Sequence, residues 1–363
     1  MSRILVIGAG VLGASVADAL SEAGADVLVL DRSGPAAGAS GATFACVNAA
    51  RKRPRWYFEL GMMGLRAHRA DPEHWRGGGR VEWFAQATLA AARRSMERLG
   101  GWGYAAHWLD RDEALALSGG LKPQAVEGMA AAWFPDEGWV EAPLYAGQRL
   151  ARARARGAAF RVGRAVGLEL SGERVAGVRL DTGELIEAET VVNCAGAAVN
   201  EVAGRTPAVP MASTPGAVVV TAPAAAPLDR IVGVDGLSVR PMSDGRLVVH
   251  CARAEAEMAA GDSPQARARA VAAALERLHN GWEDAPATAA VRPTSRPIPA
   301  DGLPVVGPSP HVEGYYLAVS HSAVTLAPVL GPLVARELAG EESPLLAECR
   351  PGRAGLRGVE ARA

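Results

Sequence analysis

Three glycines, Gly8, Gly10 and Gly13, follow the apolar run "ILVI" in G-x-G-x-x-G order. Each removes a side chain where chemistry needs the space. Gly8 permits a tight turn, Gly10 lets a pyrophosphate approach the backbone, and Gly13 lets the next helix lie close against the strand. A helix starting near Val11 and Leu12 turns its unpaired N–H groups and its positive dipole end toward those phosphates. Asp31 ends the next apolar run, "ADVLVLD", about 20 positions beyond the motif, where a carboxylate accepts from ribose hydroxyls. A 2′-phosphate would meet it as anion against anion, so FAD or NAD remains and NADP does not. The segment after that strand, "SGPAAGASGATFACVNAARK", offers a second close approach. Ser40 and Gly41 there carry a hydroxyl and an N–H for a pyrophosphate or ring, which favours the longer cofactor, FAD.

These residues require a strand over "RILVIG", a helix over "LGASVADALSEAG" stopping at Gly24, and a second strand ending in Asp31. "RILVIG" is continuously apolar, as in a parallel sheet covered on both faces. Leu12, Val16 and Leu20 supply the helical spacing.

The chain has 363 residues, of which 49% are hydrophobic and 21% charged; that is a globular composition long enough for two domains. A net charge of −1 points to a small-molecule substrate and away from nucleic acid or a membrane surface. Cys46, Cys194, Cys251 and Cys349 form no C-x-x-C pair, so neither a zinc site nor a disulfide framework is expected. The first apolar run is too short for a signal peptide, and none approaches the roughly 18 residues of a bilayer span. A cytoplasmic enzyme is expected.

Further along, "GRVEWFAQATLAAARRSMERLGGWGYAAHWL" and "GLSVRPMSDGRLVVHCARAEAE" read as strands with turns, including a hairpin at Asp244-Gly245. "PLYAGQRLARARARGA" reads as a helix with its arginines on a solvated face, and "GAAFRVGRAVGLELSGERVAGVRLDTGELIEA" as small strands. The fold class is α/β. A Rossmann-like cofactor domain, mostly parallel sheet with helices, spans 1–79, 143–207 and 291–345. A smaller α+β substrate domain with a mixed or antiparallel sheet spans 80–142 and 208–290, and 346–363 form a partly frayed tail.

Four blocks, "VIGAGVLGASVADALSEAGADVLVLD" with "GASGAT", "PDEGWVEAPLYAGQRLARARARGAAF", "ETVVNCAGAAVNEVAG" and "RPIPADGLPVVGPSP" with "GYYLAVSHSAVTLAPVLGPLVARELAG", resemble in order and spacing the FAD-dependent oxidoreductases of the D-amino-acid oxidase superfamily. The resemblance implies that Asp31 holds the adenosine ribose with Arg32 near the phosphates. Ser40, Gly41 and Ala42 would line the approach to pyrophosphate and ring. Val166 would sit at the adenine edge, and Ala195 and Gly196 would let the cofactor pass close to the main chain. The N–H groups of Ala323, Val324, Thr325 and Leu326 would face the flavin N1–C2=O edge. Family members that attach FAD covalently do so through a cysteine near the last block or a histidine near the first, and neither is present. Non-covalent FAD is expected.

Arg296, before "D-G-L-P", corresponds to an arginine that grips a substrate carboxylate in glycine oxidase, and Arg292 lies close by. Arg240 is a second candidate. His321 falls beside the flavin. In sarcosine-oxidase relatives a lysine promotes reaction with oxygen; here Lys52 and Lys122, the two lysines of the chain, lie outside the matching blocks, and that device is not expected. The implied reaction is oxidation of a C–N bond in an amino acid or secondary amine, with O2 or another acceptor taking the electrons. A 2-hydroxy acid oxidase or dehydrogenase, and an FAD-carrying subunit of a heteromeric enzyme, are the alternatives. A homo-oligomer is compatible with either.

Overall fold

The computed structural model describes residues 3–203, 206–212, 214–225, 228–353 and 356. The strand Ile4–Ile7 is central to a six-stranded sheet. In order, that sheet runs Val305–Pro308, Tyr315–Val319, Thr190–Asn193, Ile4–Ile7, Val27–Asp31 and Ala159–Val162. All neighbours are parallel except the first two. The central strand is buried from Leu5 onward, as its unbroken apolar run requires.

The helix Val11–Glu22 packs between the helices Ala142–Ala155 and Ala323–Leu338, which explains why ten of its twelve residues are buried. Glycines set this closeness. A Cβ at Gly13 would overlap the Gly8 carbonyl oxygen and crowd its carbon at 3.0 Å, and one at Gly331 would stand 2.6 Å from the Ser15 carbonyl. Gly8 itself has φ +100° and no room for a side chain against Cys194 and Ala195.

The second sheet has eight strands, in the order Ala289–Arg296, Thr214–Pro223, Arg246–Cys251, Leu237–Pro241, Ile231–Val234, Arg80–Phe84, Ala130–Phe134 and His107–Leu109. Its pairs are antiparallel except Ile231–Val234 with Arg80–Phe84. The hairpin at Asp244-Gly245 is present, with Gly245 at φ +81°. Strand pairing in this sheet continues to Arg296, so the return to the first sheet follows Arg296, beyond the position 291 expected.

Three expectations need correction. The segment read as strands around 80–109 contains a helix, Gln86–Gly101, and the end of "VVHCARAEAE" is a helix, Ala252–Ala259. In the first, Ala92 and Leu99 are the only buried residues, so its apolar periodicity is faint. The arginines of "RLARARAR" are not simply solvated: Arg149 and Arg156 hold the buried Asp18 at 3.2 and 2.6 Å, and Arg152 holds Glu73 at 2.8 Å. The tail is docked through Arg353. Leu346 and Cys349 are buried, Arg350 pairs with Glu337 at 2.6 Å, and Arg353 with Asp301 at 2.8 Å. Residues 354, 355 and 357–363 of the expected frayed tail lie outside the described ones.

Candidate active site

Two open chambers meet along a line of shared residues that includes Val11, Ser40, Thr294, Pro297, Ser320 and Ala323. The first chamber is long and follows the C-terminal edge of the parallel sheet. Gly8, Gly10, Val11, Leu12, Asp31, Arg32, Ser40, Ala195 and Gly196 line it. Ser40 Oγ accepts from the Val11 N–H at 3.1 Å, and a Cβ at Gly10 would meet that hydroxyl at 3.0 Å.

Asp31 accepts from the N–H groups of Ala9 at 2.8 Å and of Ser33 and Gly34 at 2.9 Å. A carboxylate has about four lone-pair sites, so one remains for a hydroxyl. Arg32 stands half exposed, 3.6 Å from Glu201. Gly13 and Gly41 lie behind this wall and act through packing: a Cβ on Gly41 would run into the Ala36 carbonyl. Gly163, Arg164 and Ala165 also line this first chamber, and Val166, the next residue, is 42% exposed. The groove, the bare glycines and the free carboxylate valence fit an ADP-containing dinucleotide.

The helix Ala323–Leu338 begins where the chambers meet. Its first intrahelical bond runs from Leu326 N–H to Ser322 O at 3.0 Å, so the N–H groups of Ala323, Val324 and Thr325 have no partner within the helix. Ala323, Val324 and Thr325 line the second chamber, while Leu326 is wholly buried in the core. That turn is held from three sides. Tyr57 donates to Ser322 Oγ at 2.8 Å. Gly64 leaves space for the Thr325 carbonyl, whose carbon a Cβ would approach at 3.0 Å. His68 Nε2 donates to the Val324 carbonyl at 2.8 Å. Pro328, four residues on, has no N–H for that carbonyl, and His68 replaces the missing donor.

Burial lowers the His68 pKa to about 4. The unfolded chain, near 6.5, takes up the proton first, so stability is full above that value and falls as pH drops toward 4. Between about pH 7 and about pH 5 this residue alone accounts for a loss of about 2 kcal/mol. His68→Gln, which keeps an N–H donor, is expected to remove that increment in urea denaturation at the two pH values.

The second chamber lies between the two sheets. Ala42, Phe44, Cys46, Asn48, Arg51, Lys52, Tyr57, Arg80, His250, Glu255, Arg296 and His321 line it. Arg296 does not present a free guanidinium: it pairs with Glu255 and donates to the Pro215 carbonyl at 3.2 Å. His250 Nε2 lies 3.2 Å from the same carboxylate. Arg240 is 3% exposed, donates to the carbonyls of Phe44 and Pro241, and stacks over the Phe44 ring at 5.7 Å. It supports the chamber from behind rather than lining it. Arg292 reaches back toward the Gly41 carbonyl at 3.5 Å. His321 lines the chamber, and burial, with Arg296 and Lys52 nearby, lowers its pKa, leaving a neutral imidazole.

Sequence reasoning passed over Lys52, Tyr57 and Glu255. Lys52 had one visible signal, a lone lysine in an arginine-rich chain beside the second Gly/Ala-rich loop. Among the described residues the group Asp71, Glu73 and His74 has metal-ligand spacing. Its carboxylates are held by Arg149 and Arg152 at 2.8 Å, which makes it an ion-pair cluster.

No helix among the described residues is long and apolar enough to cross a membrane. No curated protein matches the sequence. Solved structures do match in fold. Glycine oxidase from Geobacillus kaustophilus superposes with a TM-score of 0.83 at 22% identity, over 97% of this chain and 99% of that one. L-proline dehydrogenase from P. horikoshii gives 0.79 at 19% over 98% of each. Iminodiacetate oxidase from Chelativorans sp. BNC1 gives 0.78 at 23% over 96% and 99%. The sequence model of the FAD dependent oxidoreductase family, DAO, matches residues 3–337, and with the dinucleotide groove and the helix start in place the chain belongs to that family of FAD-dependent enzymes.

Proposed function

We propose that this enzyme oxidises a C–N bond of an amino acid or secondary amine, with FAD held non-covalently across the two chambers. The observation that carries the reading is the first turn of the helix Ala323–Leu338, which forms part of the wall of both chambers. When bound, FAD supplies a two-electron acceptor at N5, so that a substrate C–H hydrogen leaves as hydride and the resulting imine is hydrolysed by water.

The chain's own residues orient and polarise. The N–H groups of Ala323, Val324 and Thr325, with the helix dipole, stabilise negative charge at the cofactor end. As a neutral imidazole, His321 offers one donor and one acceptor to the substrate without adding charge. Phe44 and Val218, which also line the second chamber, give it apolar surface. The printed names of three structural neighbours, glycine oxidase, iminodiacetate oxidase and L-proline dehydrogenase, support substrates that are amines bearing a carboxylate.

Anaerobic mixing of the flavin-loaded enzyme with amino acids, N-alkyl amino acids and 2-hydroxy acids tests this. Bleaching by amines with release of ammonia or amine is the expected result, and bleaching by hydroxy acids alone would replace it. Cys46 is the thiol lining the second chamber, and burial raises it to about 11, so it is protonated and a poor nucleophile. Acid precipitation is therefore expected to leave the yellow colour in the supernatant; flavin retained on the pellet would contradict non-covalent binding.

A further inference from the structure

Lys52 is the one lysine in the chamber, and its surroundings are unusual for a cation. It is 5% exposed, and its ammonium donates to the Asn48 carbonyl. Among the described residues no carboxylate pairs with it, in contrast to Arg51, Arg80 and Arg296 in the same chamber. An ammonium carries three donors, so two are left in a space largely shielded from water.

The stem is also fitted. Helix Arg55–Arg69 has Gly61 where Lys52 passes, and a Cβ there would stand 2.5 Å from Lys52 Cδ and 3.1 Å from Cε. Ala49 Cβ lies 3.2 Å from the same point and borders the space as well. The methylenes thus lie in a slot that fixes where the charge goes, an arrangement a solvated lysine does not need.

The two ends of the chamber differ in charge. At one end Glu255 neutralises Arg296, with His250 beside it. At the other, Arg51, Lys52 and Arg80 are opposed by the two carboxylates Glu82 and Glu137, leaving one positive charge uncompensated. Burial lowers the lysine to about 8, so it is still mostly charged at neutral pH, and an anion beside it would raise it again.

We propose that Lys52 is the substrate's carboxylate anchor, in place of Arg296, so that the amino acid lies with its carboxylate toward the loop before helix Arg55–Arg69 and its amine end toward His321. This rests on the amine-oxidation reading above. A charged hydrogen-bonded pair in a shielded site is worth more than a neutral one, while Arg296 would have to abandon Glu255 to serve.

The test is a titration of the FAD-loaded protein with pyrrole-2-carboxylate and with its neutral amide, followed by the flavin absorbance. Lys52→Met is expected to weaken the carboxylate about 30-fold or more while the amide changes less than about twofold. Gly61→Ala, which pushes the stem without touching the charge, should weaken the carboxylate alone, by about fivefold to tenfold. Unchanged carboxylate affinity in Lys52→Met, or equal losses for both probes, would overturn the assignment. If Lys52→Met loses its flavin, unchanged carboxylate affinity in Gly61→Ala does so instead. A wild-type protein that binds FAD yet responds to neither amino acids nor the carboxylate would bring down the function and the anchor together. Normal turnover of amino acids with a silent Lys52→Met would bring down the anchor only.

Discussion

Gly13→Ala is expected to yield a protein that does not hold FAD. In an ordinary helix this change helps, by about 1 kcal/mol, because alanine restricts the unfolded chain. Here the added Cβ overlaps the Gly8 carbonyl oxygen, and both contact atoms belong to backbone that cannot rotate away. The helix must retreat from the strand, and its N-terminus leaves the position where it meets the phosphates. We expect at least about a 100-fold loss of flavin affinity, equal to about 2.8 kcal/mol, read by fluorescence titration of the apoprotein. Gly147→Ala is the matched control. It lies within the helix Ala142–Ala155 with nothing within 4 Å of its Cβ position, so it should bind FAD normally and unfold at slightly higher urea. Normal affinity in Gly13→Ala would show that the close approach is not needed.

Glu137→Leu is expected to cost about 3–5 kcal/mol of stability. The Glu137 side chain is wholly buried, accepts from Tyr104 at 2.8 Å, and lies 3.4 Å from Arg80, itself 6% exposed. Removing the carboxylate strands a buried guanidinium with Glu82 as its remaining partner and leaves a phenol without its acceptor. Glu137→Gln keeps the acceptor for Tyr104 and should cost less, so the difference between the two variants separates hydrogen bond from charge. Urea midpoints of the flavin-loaded proteins measure both; a midpoint shared by wild type and Glu137→Leu would mean that the pair is not needed for stability.

The first 31 residues were legible because their physics is local. A β-branched run, three glycines and a helical repeat each act within a few residues, and the strand, turn, helix and second strand fall where those signals put them. The helix Gln86–Gly101 was not legible: its exposed alanines and arginines carry little apolar period, and aromatic strands flank it. In the site, the cofactor groove was readable from glycines because backbone space is a property of residue type. The charges were not, since a guanidinium's availability depends on distant partners. Arg296 is taken by Glu255, 41 residues earlier, whereas Lys52 bonds the Asn48 carbonyl and pairs with no carboxylate among the described residues.

The parallel sheet joins Ile4–Ile7 to Thr190–Asn193, and that strand in turn to Tyr315–Val319. A ribosome therefore delivers the opening strand and its neighbour Val27–Asp31 long before Thr190–Asn193 exists to cover the other edge, and the wall shared by the two chambers is complete only when residues near 325 have emerged. Such distant pairings make for slow, late closure. Until then the apolar strand is paired along one edge only, and a ligand that needs both chambers cannot act as an early folding seed.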